Sequence, residues 1–420
     1  MNELPNFSKM ILNEFYTSDA TYIESANGAF IKDTNGKEYI DLCLGAGTHI
    51  LGHSHSVIVD QIDHQIRNGT LYIAPNPIAC KFSETLHKAT GFDRFIFCST
   101  GADATMRAMR IARAYSGKKK IALFSGGWHG GHDNALFDDD FSSQSDLGKV
   151  LFKSSGVLEE LRDLTIMLPY NSDKAFEVIK ENSSDIALVI VEPSQGSNPR
   201  ADVAEFLTSL RKITTENDIL LCFDEVITGF RVSLGGASQH YKISPDLCTY
   251  GKTVGGGLPI GIVAGKKDIL DYVSNGKDIM PTFFGGTFSG NPLGMAVGNA
   301  LVSHLLENEL FVYSKLEAQS SRLKEGVNEY CISNDIAARM TGLKSMMRLI
   351  FSDKEIRSRK ERELYEVDVK KQIDFYNELK RIGIYSGNNG INFVSILHDN
   401  EIIDRVIDGF CYALKRHIKK

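Results

Sequence analysis

Residues 219–226 read Ile-Leu-Leu-Cys-Phe-Asp-Glu-Val. Five apolar residues in unbroken succession predict a strand over Ile219–Phe223, buried on both faces of a parallel sheet and ending at Asp224. Ile186–Val191 is a second such run, and it ends at Glu192-Pro193. Arg94–Cys98 and Lys120–Phe124 read as further strands, with a helix over Ala102–Tyr115 between them. Strands alternating with helices specify an α/β fold, a mainly parallel sheet with right-handed crossovers and helices on both faces. This pattern runs from about residue 56 to about 310. Before it, 21–43 reads as a hairpin turning at Asn35-Gly36, a dipeptide that accepts positive φ. After 310 the chain becomes long, charged and amphipathic. Lys354–Lys371, dense in Lys, Arg and Glu, reads as the solvated face of a helix.

Bulk composition excludes several classes. The 420 residues are 42% hydrophobic and 24% charged, as in ordinary globular proteins. A net charge of −6 favours neither nucleic acid nor an anionic membrane as partner. The seven cysteines form no C-x-x-C, which argues for reduced thiols in a cytoplasmic setting. Met1–Tyr16 lacks the basic-then-apolar pattern of a signal peptide. No apolar stretch approaches the roughly 20 residues of a membrane helix.

Ligands of open α/β sheets bind beyond the carboxyl ends of the strands. Asp224, Glu192 and the segment Ser99-Thr100-Gly101-Ala102 all lie at such ends. The last opens a helix, so its free N–H groups suit a phosphate, though Thr100 or Ser99 also suits a plain N-cap. Trp128-His129-Gly130 follows the Lys120–Phe124 strand. Trp128, the single tryptophan, either stacks on a flat ring or packs in the core. His129 with His132, and His49 with His53 and His55, lack metalloenzyme spacing, so no metal is expected.

Lys252 lies in Gly251-Lys252-Thr253-Val254-Gly255-Gly256-Gly257. A P-loop needs Gly five places before Gly251, and position 246 is Asp. Gly45-x-Gly47 continues to Ile50, so a dinucleotide fingerprint also fails. What remains is a lysine in a glycine loop, with a strand-end carboxylate upstream. A lysine amine forms an imine with an aldehyde, and a buried carboxylate holds a pyridine nitrogen protonated. These are the two groups that pyridoxal 5′-phosphate (PLP) requires.

The chain resembles the class III, fold-type I PLP-dependent aminotransferases, and most nearly the glutamate-1-semialdehyde 2,1-aminomutase branch. The likeness rests on Phe223-Asp224-Glu225-Val226-Ile227-Thr228-Gly229-Phe230-Arg231, Ser244-Pro245-Asp246, Gly251-Lys252-x-x-Gly255-Gly256-Gly257-Leu258-Pro259 and Gly286-Thr287-Phe288-Ser289-Gly290-Asn291-Pro292. It implies a seven-stranded large domain at 56–310 and a smaller α+β domain from 311–420, to which 1–55 contributes. It assigns the Schiff-base role to Lys252, the pyridine partner to Asp224 and ring packing to Val226. Thr100, Gly101 and Ala102 fall on the phosphate turn, with Ala102 where a hydroxyl is usual. Trp128 takes the stacking position, with His129 and Glu192 beside it. Gln195 approaches the phenolic oxygen, and Thr287 reaches the phosphate across a homodimer interface. The implied activity is amino transfer between a small-molecule donor and a keto or aldehyde acceptor. Aminomutase, racemase and decarboxylase outcomes are alternatives on the same fold.

Several residues depart from the aminomutase pattern. The first arginine of the chain is Arg67, so the N-terminal segment has no guanidinium for a substrate carboxylate. The stretch Ser386–Asn392 has no acid, Ala46 replaces a pocket aromatic, and Asp138–Lys153 matches the gating loop poorly. These departures predict a substrate other than glutamate semialdehyde.

Overall fold

A computed structural model describes residues 20–141, 150–276, 279–366, 368–387 and 390–418. Met1–Tyr16, residues 142–149 and Asn388-Asn389 lie outside them. The chain opens with β1 (Ile23–Asn27), β2 (Phe30–Asp33) and β3 (Glu38–Asp41). The Asn35-Gly36 turn joins β2 to β3, with Gly36 at φ 82°. A second tight turn at Gly28, φ 58°, separates β1 from β2, so three strands stand where one hairpin was expected.

The large sheet takes β4 (Arg94–Cys98), β5 (Lys120–Phe124), then, past a small hairpin of β6 (Phe137–Asp138) and β7 (Leu151–Phe152), β8 (Thr165–Leu168), β9 (Ile186–Val191), β10 (Leu220–Glu225), β11 (Leu247–Tyr250) and β12 (Gly261–Gly265). Its order is β4-β12-β11-β10-β9-β5-β8. All pairings are parallel except those of β12, which runs antiparallel to both neighbours. Every residue of β9, β10, β11 and β12 is buried, as continuous apolar runs require. The strand read as Ile219–Phe223 extends through Asp224 and Glu225, which pair in register with Thr249 and Tyr250. Both carboxylates stay inside the sheet because each finds donors. Glu225 accepts from Ser238 N at 2.8 Å and Thr228 Oγ1 at 3.0 Å.

The C-terminal part adds a 25-residue helix, Glu309–Ser333, and the antiparallel strands β13 (Arg339–Leu343), β14 (Met346–Ile350) and β16 (Ile391–Phe393). β15 (Ile384–Tyr385) lies parallel to β3, which ties the first strands of the chain to this C-terminal part. Lys354–Lys371 is not simply a solvated face. Its helix Arg359–Tyr365 buries Arg362 to 4% exposure, and Glu366 just beyond to 8%. Arg362 donates to Ser197 O of the large sheet's loops, so the charges make a contact between parts of the fold. Among the described residues no helix is long and apolar enough to cross a membrane, and no group of three or more metal-ligating side chains occurs.

Three histidines are placed to stay neutral. His398 is fully buried; its Nε2 donates to Asp41 O at 3.2 Å, which leaves Nδ1 to accept from Ser395 N, also at 3.2 Å. Protonation would destroy that acceptor. Burial pushes His398, His49 and His132 each down to about 4. As pH falls below the ordinary histidine value, the unfolded chain binds protons that the folded chain refuses. Stability is therefore predicted to fall from pH about 6.5 towards about 4, by at most about 1.4 kcal/mol per pH unit for each histidine. Urea midpoints across that range measure it. His398→Gln should flatten the slope, and an unchanged slope would contradict the assignment.

Candidate active site

The parallel register brings the two key groups together. Asp224 lies opposite Thr249 on adjacent strands, and Lys252 comes three residues after Thr249, just past the end of β11. At Lys252 the backbone turns sharply, with φ 45°, a strained value for a residue with a Cβ. Gly251 precedes it in close quarters: a Cβ there would stand 3.3 Å from Val226 Cγ1 and 3.4 Å from Gly101 Cα. The result is a cavity of about 280 Å³ lined by Lys252, Asp224, Val226, Trp128, His129 and Glu192, among others. Burial holds the Lys252 amine below its ordinary value, while the Glu192 and Asp224 charges pull it back. A lysine shifted this way has more free amine near neutrality, the form that bonds to a carbonyl and accepts protons.

Asp224 is fixed by three donors. Val226 N and Thr249 Oγ1 reach Oδ1, each at 3.1 Å, and His129 Nδ1 meets Oδ2 at 2.7 Å. A carboxylate has about four acceptor positions, so one remains for a ring N–H entering from the cavity. His129 sits 2% exposed beside it, and its backbone carbonyl accepts from Thr105 Oγ1. His132 Nε2 lies 3.1 Å from the same hydroxyl. These bonds hold the histidine ring against the carboxylate.

Another part of the cavity lining suits a phosphate. Thr100 caps the helix Gly101–Ser116 by accepting from Asp103 N at 3.1 Å. The next N–H groups, of Gly101 and Ala102, have no partner within the helix and line the cavity at its positive end. The segment is thus both cap and cradle, with the Thr100 side chain spent on the cap. Close packing dictates the glycines here: a Cβ on Gly101 would stand 2.8 Å from Val226 Cγ1, and one on Gly130 2.5 Å from Ala102 Cβ.

Trp128 lines the cavity and is 55% exposed, so it is not a core residue. Its backbone N–H donates to Glu192 Oε2 at 2.9 Å, and Glu192 Oε1 accepts from Gly196 N at 3.2 Å. Burial pushes the Glu192 carboxyl above its usual range, against the pull of His129. Lys153 donates to Gly127 O at 2.8 Å and stands 5.6 Å from the Trp128 ring centre. Gln195 does not line the cavity; its amide donates to Ser125 O at 2.8 Å, bracing the turn before Trp128. Thr287 is exposed on the 282–291 loop and is likewise outside the cavity lining. A larger recess of about 400 Å³, lined by Ser125, Tyr170, Arg357 and Lys360, shares no lining residue with this cavity.

Sequence reasoning passed over Thr249, Thr105 and Ile227. Only the β10–β11 register puts Thr249 on Asp224, and that register is not written in the local pattern. Leu44, Gly45, Ala46 and Gly47 all have positive φ, a left-handed turn that leaves Ala46 exposed.

The donor set fits PLP: an amine, a carboxylate with one acceptor position left, an aromatic and a β-branched side chain in the lining, and a helix N-terminus. His129→Leu should cost Asp224 a charge-assisted bond of about 1.5–3 kcal/mol, and so weaken PLP retention about 10- to 100-fold. Equilibrium dialysis of the holoenzyme measures this, and unchanged retention would contradict the role of His129.

The comparisons agree with this geometry. The family model for aminotransferase class-III matches residues 14–418. A relative named glutamate-1-semialdehyde 2,1-aminomutase, from Methanococcoides burtonii, is 37% identical over 94% of this chain and 92% of its own. An omega-transaminase from Sphaerobacter thermophilus superposes with a TM-score of 0.89 at 26% identity, covering 96% of this chain and 92% of that one. A transaminase solved with PLP bound superposes with a TM-score of 0.85 at 25% identity, with the same coverage. The chain belongs to the class III aminotransferases, enzymes of fold type I that use pyridoxal 5′-phosphate.

Proposed function

We propose that this enzyme carries an amino group from a small-molecule donor to a separate keto or aldehyde acceptor. The observation that carries the reading is the cavity that joins Lys252 to Asp224. Bound PLP supplies an aldehyde that takes up the amino group and a ring that accepts the electron pair of the broken C–H bond. The protein supplies the rest. Asp224, oriented by His129 and Thr249, keeps the pyridine nitrogen protonated. Trp128 and Val226 would hold the ring, and Gly101 and Ala102 would bind the phosphate. Lys252, whose amine burial holds below its ordinary value, would hold and move the proton taken from the donor's α-carbon. The donor leaves as a carbonyl compound, and the acceptor gains its amine by the reverse sequence.

A second reading has its own support. The relatives named glutamate-1-semialdehyde 2,1-aminomutase reach 37% identity across nearly the whole chain, and on those names an aminomutase is better supported than an intermolecular transaminase. Against it stand the residues: no arginine before Arg67, no acid in the described part of Ser386–Asn392, and Ala46 in the left-handed turn. Purified enzyme supplied with glutamate semialdehyde decides. The first reading expects no 5-aminolevulinate at ordinary enzyme rates, and amino-donor-dependent conversion of PLP to its amine form. Rapid 5-aminolevulinate formation without any donor would establish the second.

The assembly belongs to the same proposal. Met280, Phe283 and Phe288 are 89%, 73% and 61% exposed around Thr287, and Ile73 is 92% exposed. So much large apolar side chain on one loop suits burial against a second copy, which would carry Thr287 to the partner's phosphate. The division into 56–310 and a unit built from 1–55 with 311–420 is part of this reading; the β15–β3 pairing supports it. Met280→Asp with Phe283→Asp should give a monomer in sedimentation and lose most activity together with PLP. A fully active monomer would overturn the shared site.

A further inference from the structure

The turn Ser125–Trp128 carries the indole to the cavity, and side chains from two segments hold its backbone. From the loop after β9, Gln195 donates to Ser125 O, Ser197 Oγ donates to Gly126 O at 2.8 Å, and Glu192 accepts from Trp128 N. From the β6–β7 hairpin, Asp138 Oδ1 accepts from Gly126 N at 3.0 Å, and Lys153 Nζ donates to Gly127 O at 2.8 Å. Lys153 Nζ and Asp138 Oδ2 are themselves paired at 3.0 Å. These two residues are the ends of Asp138–Lys153, the stretch that matches the aminomutase gating loop poorly.

The hairpin gives this grip a firm base. Phe137 is buried, its ring centre lies 5.4 Å from that of Phe152 on the facing strand, and Lys153 N donates to Leu136 O at 2.9 Å. Lys153 Nζ then stands over the Trp128 ring, 5.6 Å from its centre. Trp128 lines the cavity, whereas Lys153 does not. With Trp128 55% exposed, core packing alone does not fix the orientation of its ring. A cation over an aromatic face is attracted by the negative charge of that face. One ammonium can serve a carbonyl, a carboxylate and a ring face together, and an aliphatic side chain of the same length serves none of them.

We infer that Lys153 is a positioning residue for Trp128: tied to Gly127 O and to Asp138, its ammonium holds the indole in the cavity wall. The consequence for PLP rests on the reading of Trp128 as a residue that holds the cofactor ring, but the grip on the indole does not.

Trp128 is the only tryptophan of the chain, so tryptophan emission reports on it alone. In Lys153→Met, acrylamide quenching of that emission should rise about 2-fold. Retention of PLP in equilibrium dialysis of the holoenzyme should weaken about 10-fold. Lys153→Arg, which keeps the cation, should restore most of both. Asp138→Asn, which keeps an acceptor for Gly126 N–H and removes the ion pair, should show the same changes in smaller measure. In a Trp128→Leu background, Lys153→Met should cost little further retention, because the lysine acts through the ring. Equal losses in the two backgrounds, or quenching unchanged in Lys153→Met, would overturn the inference. If Trp128→Leu leaves PLP retention intact while Lys153→Met still frees the indole, the reading of Trp128 fails and the grip stands. If Trp128→Leu weakens retention while Lys153→Met alters neither readout, that reading stands and the grip fails.

Discussion

The parallel pairing of β10 with β11 is the constraint on which the rest depends. It sets Asp224 beside Thr249 and brings Lys252 to the same sheet edge. A carboxylate buried in the middle of a sheet would be costly without partners. Three donors from three segments compensate it, and each has a second duty. Val226 faces the cavity, Thr249 continues into the lysine loop, and His129 follows Trp128 of the cavity lining. Stabilising the carboxylate and assembling the site are the same set of bonds.

Strain is concentrated next to this constraint. Leu44 to Gly47 wind left-handed, which disfavours residues with a Cβ by roughly 1–2 kcal/mol each. The turn is held from the other side. Gly47 O accepts from Arg231 Nε at 2.8 Å and from Thr253 Oγ1 at 3.2 Å. Arg231 also binds Ser345 Oγ and Val394 O, so one fully buried guanidinium joins the N-terminal turn, the loop after β10 and the C-terminal sheet. It does so through neutral acceptors alone, and burial pushes it down to about 9. Thr253 adjoins Lys252, so the position of the turn and that of the lysine are fixed together.

The strands that build the site were legible because they are apolar runs that end abruptly in polar residues. Lys252 and Asp224 were legible because glycines and a strand end frame them. The antiparallel course of β12 was not, since Gly261–Gly265 reads like any buried strand. Thr249 was invisible because its meaning lies in cross-strand register, which couples residues 25 positions apart. The charged stretch around Arg362 misled because mixed charge usually means solvent, whereas here Arg362 finds a carbonyl on the large sheet's loops. Gln195, placed near the ring by resemblance, donates its amide N–H to the Ser125 carbonyl.

The central claim is that Lys252 is the amine bonded to the cofactor. Borohydride reduction of the holoenzyme, followed by peptide mass mapping, tests it most directly. The account predicts one phosphopyridoxyl group per chain, on the peptide containing Lys252. A label on any other lysine, or a bleached visible band with Lys252 unmodified, would contradict it.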